Sequence, residues 1–230
     1  MQIRRWHIYP YVEDLEVHVV EAILRSAWQA VKTRGVFHMV LAGGETPRRL
    51  YARLARSVAD WTQWQVYFGD ERCVPPGHPA RNDAMAYDAW LTGVAIPRHQ
   101  IWSIPGELGP EAAAAQYAEA LAAVDMFDLV LLGLGEDGHT ASLFPGLWDG
   151  QDGADALPVR ASPKPPPERV TLSAARLSRA RQVFFVVAGD RKRDAVALWR
   201  RGDPIPASAI TPLAGVDIML DVGAWPEQPV

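Results

Sequence analysis

The strongest constraint on the fold is a series of short, nearly continuous apolar runs that alternate with helical segments. Five runs have the length and the β-branched or aromatic content of strands: residues 35–41, 64–68, 127–132, 183–187 and 216–220. A strand that is apolar on both faces is typical of a parallel sheet covered by helices. Residues 169–172 form a weaker strand candidate.

Four segments between these runs carry apolar residues at helical spacing. They are residues 13–32, 47–58, 111–124 and 190–200. Alternating strands and helices predict an α/β protein with layers of helix, sheet and helix. We therefore expect one Rossmann-like αβα domain over residues 1–230, with a mostly parallel central sheet and helices on both faces.

Residues 146–168 interrupt this alternation. The segment holds three glycines and, between residues 158 and 167, five prolines, with few periodic apolar positions. Strand candidates continue after it, which favours a single domain with an excursion over two domains. A lid, a linker and a disordered excursion are all compatible with this composition.

Composition and charge exclude several classes of protein. Because 49% of the residues are hydrophobic and 22% are charged, a disordered chain is excluded. The lone cysteine, Cys73, excludes a disulfide framework and a thiolate zinc cluster, and we expect it to pack in the interior. A net charge of −4 argues against nucleic acid as a partner. Without a secretory signal or an apolar stretch of about 20 residues, we expect a cytoplasmic protein with no membrane partner.

The first motif with chemical meaning is a glycine pair, Gly43-Gly44, between an apolar strand and a helix. We expect Thr46 to cap this helix and Pro47 to be its first residue. Glycines allow close approach, and the free N–H groups of a helix start suit a phosphate. A well-capped junction without a ligand has the same pattern, and the carboxylate of Glu45 would repel a phosphate.

The second motif is Asp70-Glu71-Arg72, directly after the strand at residues 64–68. Open α/β sheets bind ligands at the carboxyl ends of their strands. Arg72 could hold a phosphate or an oxyanion, with the two acids orienting it. The alternative is a solvated turn with an internal ion pair.

The third motif, at residues 133–142, begins with the pattern G-x-G-x-x-G after a strand. We reject a dinucleotide site, because Glu136 and Asp137 would lie where the pyrophosphate binds. The loop instead presents Asp137 and His139. A histidine at a helix start is kept neutral by the helix dipole, as a general base must be. A helix-capping histidine beside an Asp-Gly turn is the alternative.

A fourth motif places basic residues after the strand at 183–187, where Lys192 could reach a phosphate. A solvated basic helix start without a ligand has the same pattern. Together these motifs resemble the glucosamine-6-phosphate isomerase/6-phosphogluconolactonase family in order and spacing. The resemblance rests on the following segments: residues 43–47, 70–75, 82–83, 127–146, 169–172, 189–192 and 206–208. It spans nearly the whole chain.

The resemblance implies hydrolysis of 6-phospho-D-glucono-1,5-lactone, a small sugar-phosphate lactone, without a metal or an organic cofactor. It implies that His139 acts as the general base and that Asp137 supports it, while Arg72 holds the oxyanion or the phosphate. The implied phosphate and substrate ligands are Gly43, Gly44, Thr46, Asp70, Glu71, Arg169 and Lys192.

Two other functions stay open at this point. Amino-sugar-phosphate deaminases of the family continue after Asp-Gly-His with an Ile-Ala-Phe-Asn-Glu-Pro type of segment, which carries another acid. This chain continues with Thr-Ala-Ser-Leu-Phe-Pro-Gly, which is the lactonase form. A non-catalytic sugar-phosphate sensor is the second alternative. The sequence does not decide between a monomer and a small homo-oligomer.

Overall fold

In the computed structural model, which describes residues 2–150 and 153–226, ten strands form two sheets. The strands are Arg4–Tyr9 (β1), Phe37–Leu41 (β2), Trp64–Phe68 (β3), Asp70–Arg72 (β4), Ile101–Trp102 (β5), Phe127–Leu132 (β6), Ala156–Val159 (β7), Arg169–Leu172 (β8), Ala180–Val187 (β9) and Val216–Asp221 (β10). Seven form one sheet in the order β1-β10-β9-β6-β2-β3-β5, with every neighbouring pair parallel. The antiparallel strands β4, β8 and β7 form the second.

Six α-helices connect the strands in the described part of the chain. They are Val12–Arg34 (α1), Glu45–Leu54 (α2), Asn82–Ala86 (α3, continued by a π-helical turn, Tyr87–Leu91), Pro110–Leu121 (α4), Ala174–Ser178 (α5) and Arg193–Arg201 (α6). Short 3₁₀ turns complete the connections, among them Asp190–Lys192 before α6. None of the helices described in these ranges combines the length and the apolar character that a membrane crossing requires.

The predicted α/β class, with a mostly parallel sheet, is confirmed. Strand β6 is buried at all six positions between β2 and β9, as expected where helices cover both faces. The expectation of a single domain stays a prediction. Sequence reasoning missed β1, because this strand pairs on one side only and carries exposed charge, such as the half-exposed Arg5.

The excursion at residues 146–168 is partly a built element, which corrects its interpretation as irregular chain. Residues 156–159 form β7, whose antiparallel pairing with β8 runs from Ala156 opposite Leu172 to Val159 opposite Arg169. Strand β7 is four residues long, contains Pro158 and is followed by four more prolines, so the composition of the segment concealed it. Residues 151 and 152, which belong to the same prediction, lie outside the described residues.

The strand order places the candidate motifs together. Strands β9, β6, β2 and β3 are adjacent and parallel, so the loops that follow them emerge at one edge of the sheet. The chain runs outward from β2 through β3 to β5, and later outward from β6 through β9 to β10. The direction of winding therefore reverses between β2 and β6, which is where open α/β sheets form a ligand crevice.

Candidate active site

A cavity of about 330 Å³ opens at this edge of the sheet. Its volume lies within the range of about 300–1,000 Å³ that is usual for small-molecule sites. Seven of the residues expected at the site line it: Gly43, Gly44, Asp70, Arg72, His139, Arg169 and Lys192. Asp137 contacts His139 from behind, whereas Thr46 and Glu71 are not part of the lining.

The loop after β6 presents a histidine–aspartate dyad. The ring Nδ1 of His139 hydrogen-bonds to Oδ1 of Asp137, and the backbone N–H of His139 donates to the same oxygen over 3.2 Å. Partial burial acts to raise the pKa of Asp137, but its hydrogen bonds with His139 outweigh this and keep that pKa below its usual range. An ionised carboxylate only accepts, so Nδ1 carries the proton and the lone pair of Nε2 is available.

The neutrality of His139 has a different cause from the one expected. Residues 136–138 form a turn and the described residues 139–150 are not helical, so the helix-dipole argument is wrong. Burial lowers the pKa of His139 and outweighs the opposite effect of Asp137. The ring packs against Phe144, with 4.6 Å between ring centroids, which accounts for part of that burial.

Two glycines of the same loop have specific spatial reasons. A Cβ at Gly135 would lie 1.9 Å from Nδ1 of His139 and 2.6 Å from Oδ1 of Asp137, so this position needs a hydrogen atom. Gly138 has a φ of +83°, which favours glycine. The G-x-G-x-x-G pattern thus serves the dyad and the turn rather than a pyrophosphate.

The glycine pair after β2 lies at the start of α2, but the capping differs from the prediction. Gly44 is the N-cap with a φ of +104°, the helix begins at Glu45, and Thr46 lies inside the first turn. The Glu45 side chain is exposed and forms two hydrogen bonds of 2.8 and 2.9 Å with Arg48. The N–H groups of the first turn have no partner within the helix, as an anion site requires.

A buried polar network forms the floor beside this loop. The Asp70 carboxylate accepts a hydrogen bond from Nδ2 of Asn82 over 3.0 Å and one from Oγ of Ser142 over 2.6 Å. A Cβ at Gly43 would lie 2.0 Å from Oδ1 of Asn82. The glycine therefore lets the loop after β2 pack directly on the first residue of α3.

Glu71 has a structural role, which corrects its assignment to substrate binding. Its fully buried carboxylate accepts the backbone N–H groups of Arg72, Asn82 and Asp83 over 2.8, 2.7 and 2.9 Å. Burial raises the pKa of Glu71 to about 7, against the lowering effect of these donors. Glu71 fastens the start of α3 to β4 and neither assists Arg72 in the cavity nor faces water.

Four cationic side chains line the cavity, namely Arg72, Lys164, Arg169 and Lys192. Arg72 donates through Nη1 to the carbonyl of Ala80, and its buried Nε has no partner among the described residues. Arg169 lies at the start of β8 and Lys192 lies at the end of the 3₁₀ turn after β9. Burial lowers the pKa of both side chains. Such a concentration of cations beside a helix start suits a phosphorylated ligand. Within the described ranges, no group of three or more His, Cys, Asp or Glu side chains is placed to hold a metal.

Comparison with known proteins assigns the chain to a family. The family model for glucosamine-6-phosphate isomerases/6-phosphogluconolactonase matches residues 10–219. The chain belongs to this family. It is 38% identical over 204 residues to a 6-phosphogluconolactonase of Nostoc sp., a match that covers 83% of this chain and 82% of that protein. A second 6-phosphogluconolactonase, from Synechocystis sp., is 38% identical over 206 residues and covers 84% and 85% of the two chains.

The fold agrees with a solved member of the family. The crystal structure of a 6-phosphogluconolactonase from Thermotoga maritima superposes with a TM-score of 0.88 and 28% identity. The match covers 94% of this chain and all of that one. The segment that the family model covers includes every residue described above as lining the cavity.

Proposed function

We propose that this chain hydrolyses 6-phospho-D-glucono-1,5-lactone to 6-phospho-D-gluconate. The observation that carries the proposal is the His139–Asp137 dyad. His139 is the one side chain in the cavity lining that can act as a neutral base near pH 7, and its Nε2 is free. The relatives named 6-phosphogluconolactonase support the same activity. The activity belongs to the oxidative pentose phosphate pathway.

In the proposed reaction, Nε2 of His139 accepts a proton from a water molecule as that water attacks C1 of the lactone. A tetrahedral intermediate forms with a negative charge on the former carbonyl oxygen. When the bond between C1 and the ring oxygen breaks, the imidazolium returns the proton to the ring oxygen. Asp137 stabilises the transient imidazolium and holds the tautomer.

The anionic groups of the substrate have separate partners in the cavity. The free N–H groups at Gly44 and the start of α2 face the phosphate, together with Arg169 and Lys192. Arg72 also lines the cavity, and its guanidinium group is the donor proposed for the developing oxyanion.

The expected rate enhancement needs only these groups. A positioned base contributes about 10²- to 10⁴-fold, and one oxyanion donor about 10²- to 10³-fold. A lactone is an activated ester, so enhancements of this size give efficient turnover. No cofactor is part of the proposal.

The test is a coupled assay in which glucose 6-phosphate and its dehydrogenase generate the lactone. Formation of 6-phosphogluconate is followed through NADPH produced by its own dehydrogenase, after subtraction of spontaneous hydrolysis. Acceleration by the wild type and its loss in His139→Ala support both the activity and the base. Absence of acceleration by the wild type would overturn the proposal, and a His139→Ala variant as fast as the wild type would remove His139 from the mechanism.

A further inference from the structure

A buried arginine outside the cavity, Arg81, binds several of the segments that surround Arg72. Only 2% of Arg81 is exposed, although it directly follows the loop at residues 73–80, whose residues 75–79 are all exposed. Its side chain is not part of the cavity lining. Nothing in the reaction described above uses it, so its burial needs another explanation.

The guanidinium group of Arg81 holds three parts of the chain together. Nε and Nη2 donate to the two carboxylate oxygens of Asp83 on α3, over 2.7 Å each. Nη1 donates over 3.1 Å to the carbonyl of Val74, near the start of the loop that Arg81 closes. Nη2 also donates to the carbonyl of Ile104 over 2.8 Å, and Nη1 donates to Oε2 of Glu107 over 3.1 Å. Because every nitrogen has a partner, the three segments are fixed relative to one another.

The same segments hold Arg72 from two sides. Nη1 of Arg72 donates to the carbonyl of Ala80, the residue directly before Arg81. On the other side, Gly106 packs on the backbone of Arg72, since a Cβ there would lie 2.6 Å from the Arg72 carbonyl oxygen. Gly106 belongs to the segment in which Arg81 binds the carbonyl of Ile104. Arg81 therefore anchors the chain beside both of these contacts.

We infer that Arg81 is a positioning residue, which fixes the Ala80 carbonyl and the Gly106 segment and thereby aims the guanidinium group of Arg72 at the oxyanion. The inference rests on the proposed function for the role of Arg72. An exposed loop moves more than the elements that it connects, so the Ala80 carbonyl needs a buried anchor. A donor stabilises the transition state fully only when its position is set in advance.

The kinetic test is a double-mutant cycle between Arg81 and Arg72 in the coupled lactone assay. Arg81→Met should lower kcat about 10- to 100-fold and change KM less than about threefold, because a donor displaced by about 1 Å loses most of its effect. In an Arg72→Ala background no guanidinium group remains to be positioned, so Arg81→Met should lower kcat less than about threefold. A residue that only supports the fold lowers kcat alike in both backgrounds. Equal factors, or an unchanged kcat in Arg81→Met, would overturn the inference.

Arg176→Met is the matched control for the loss of a buried arginine. Arg176 is fully buried and donates to the carbonyls of Val124 and Asp125, before β6 and so at the opposite end of that strand from the cavity. This variant should lower Tm but change kcat less than about threefold. A loss of kcat as large as that in Arg81→Met would overturn the inference. If Arg81→Met does not fold, Arg81→Lys, which keeps the charge, takes its place in the cycle under the same criterion.

A second measurement does not depend on turnover. In ¹⁵N-labelled protein, the Nε–H signal of Arg72 is assigned by its absence in Arg72→Ala. Because Nε of Arg72 is buried, its hydrogen exchange with solvent should accelerate at least about tenfold in Arg81→Met and stay unchanged in Arg176→Met. The same exchange rate in the wild type and Arg81→Met would contradict the inference. This result is obtained even if the wild type fails to hydrolyse the lactone, so the two failures are distinguishable.

Discussion

Replacing Gly135 by alanine displaces the dyad while leaving its chemistry in place. The new Cβ would lie 1.9 Å from Nδ1 of His139, whereas ordinary van der Waals contact begins at 3.4 Å, so the ring must move by about 1.5 Å. A misplacement of about 1 Å costs on the order of 10²-fold in rate. We therefore expect kcat to fall at least about 100-fold.

The same substitution should leave the fold intact. Gly135 does not have a left-handed φ, so alanine can adopt its backbone conformation. The side chains of His139 and Asp137 are 15% and 40% exposed and can turn toward solvent. We expect a loss of stability below about 1 kcal/mol and a decrease in Tm below about 4 °C.

The assay is the coupled lactone assay together with thermal unfolding of each variant. Gly153→Ala is the control, because a Cβ there meets nothing within 4 Å and the backbone φ is not left-handed. Full activity in Gly135→Ala would refute the catalytic role of the dyad geometry. A large decrease in Tm would instead show that the glycine supports the fold.

Three further predictions use separate parts of the site. The kcat/KM of the wild type should fall as pH drops through an apparent pKa below 6.5, since burial lowers the pKa of His139. In Asp137→Asn the midpoint should move lower still, because Asp137 raises that pKa. A pH-rate profile of the variant without such a shift would contradict this. Arg48→Ala should raise KM severalfold, because it frees the Glu45 carboxylate beside the glycine pair after β2. Adding Glu45→Ser to this variant should return KM to the wild-type value. Equal KM in all three proteins would argue against this pairing. Glu71→Gln should lose about 1–3 kcal/mol of stability in urea unfolding, because an amide cannot accept all three backbone donors; an unchanged midpoint would remove that role.

Local sequence patterns predicted the bounds of those strands whose environment is uniform along their length. Strands β3, β6 and β8 have the predicted bounds, because each is a continuous apolar or β-prone run between clear breaks. Strands β1, β4, β5 and β7 were not predicted, since β1 lies at the sheet edge and tolerates charge, β4 and β5 are only three and two residues long, and β7 contains a proline. Their formation depends on pairing, which leaves no period in the sequence.

The tertiary structure decided which candidate residues meet. Asp137 and His139 are two positions apart, so their contact follows from the turn between them. Glu71 and Arg72 are neighbours in sequence, yet alternation along β4 buries the first and leaves the second at the cavity. No local pattern shows which of two adjacent charged residues is buried, because the answer depends on the packing of α3.

The sequence by itself determined the α/β class, the family and the residue types at the strand ends. The order of the strands determined the site, because it brings four loops from distant parts of the chain to one edge. The tertiary structure also determined the protonation state of His139, which burial and not a helix keeps neutral. Lys164 lines the cavity, and its backbone carbonyl accepts hydrogen bonds from Arg169 and Ser162. Burial and long-range contacts are sums over the whole fold, so they follow from the tertiary structure and not from local sequence.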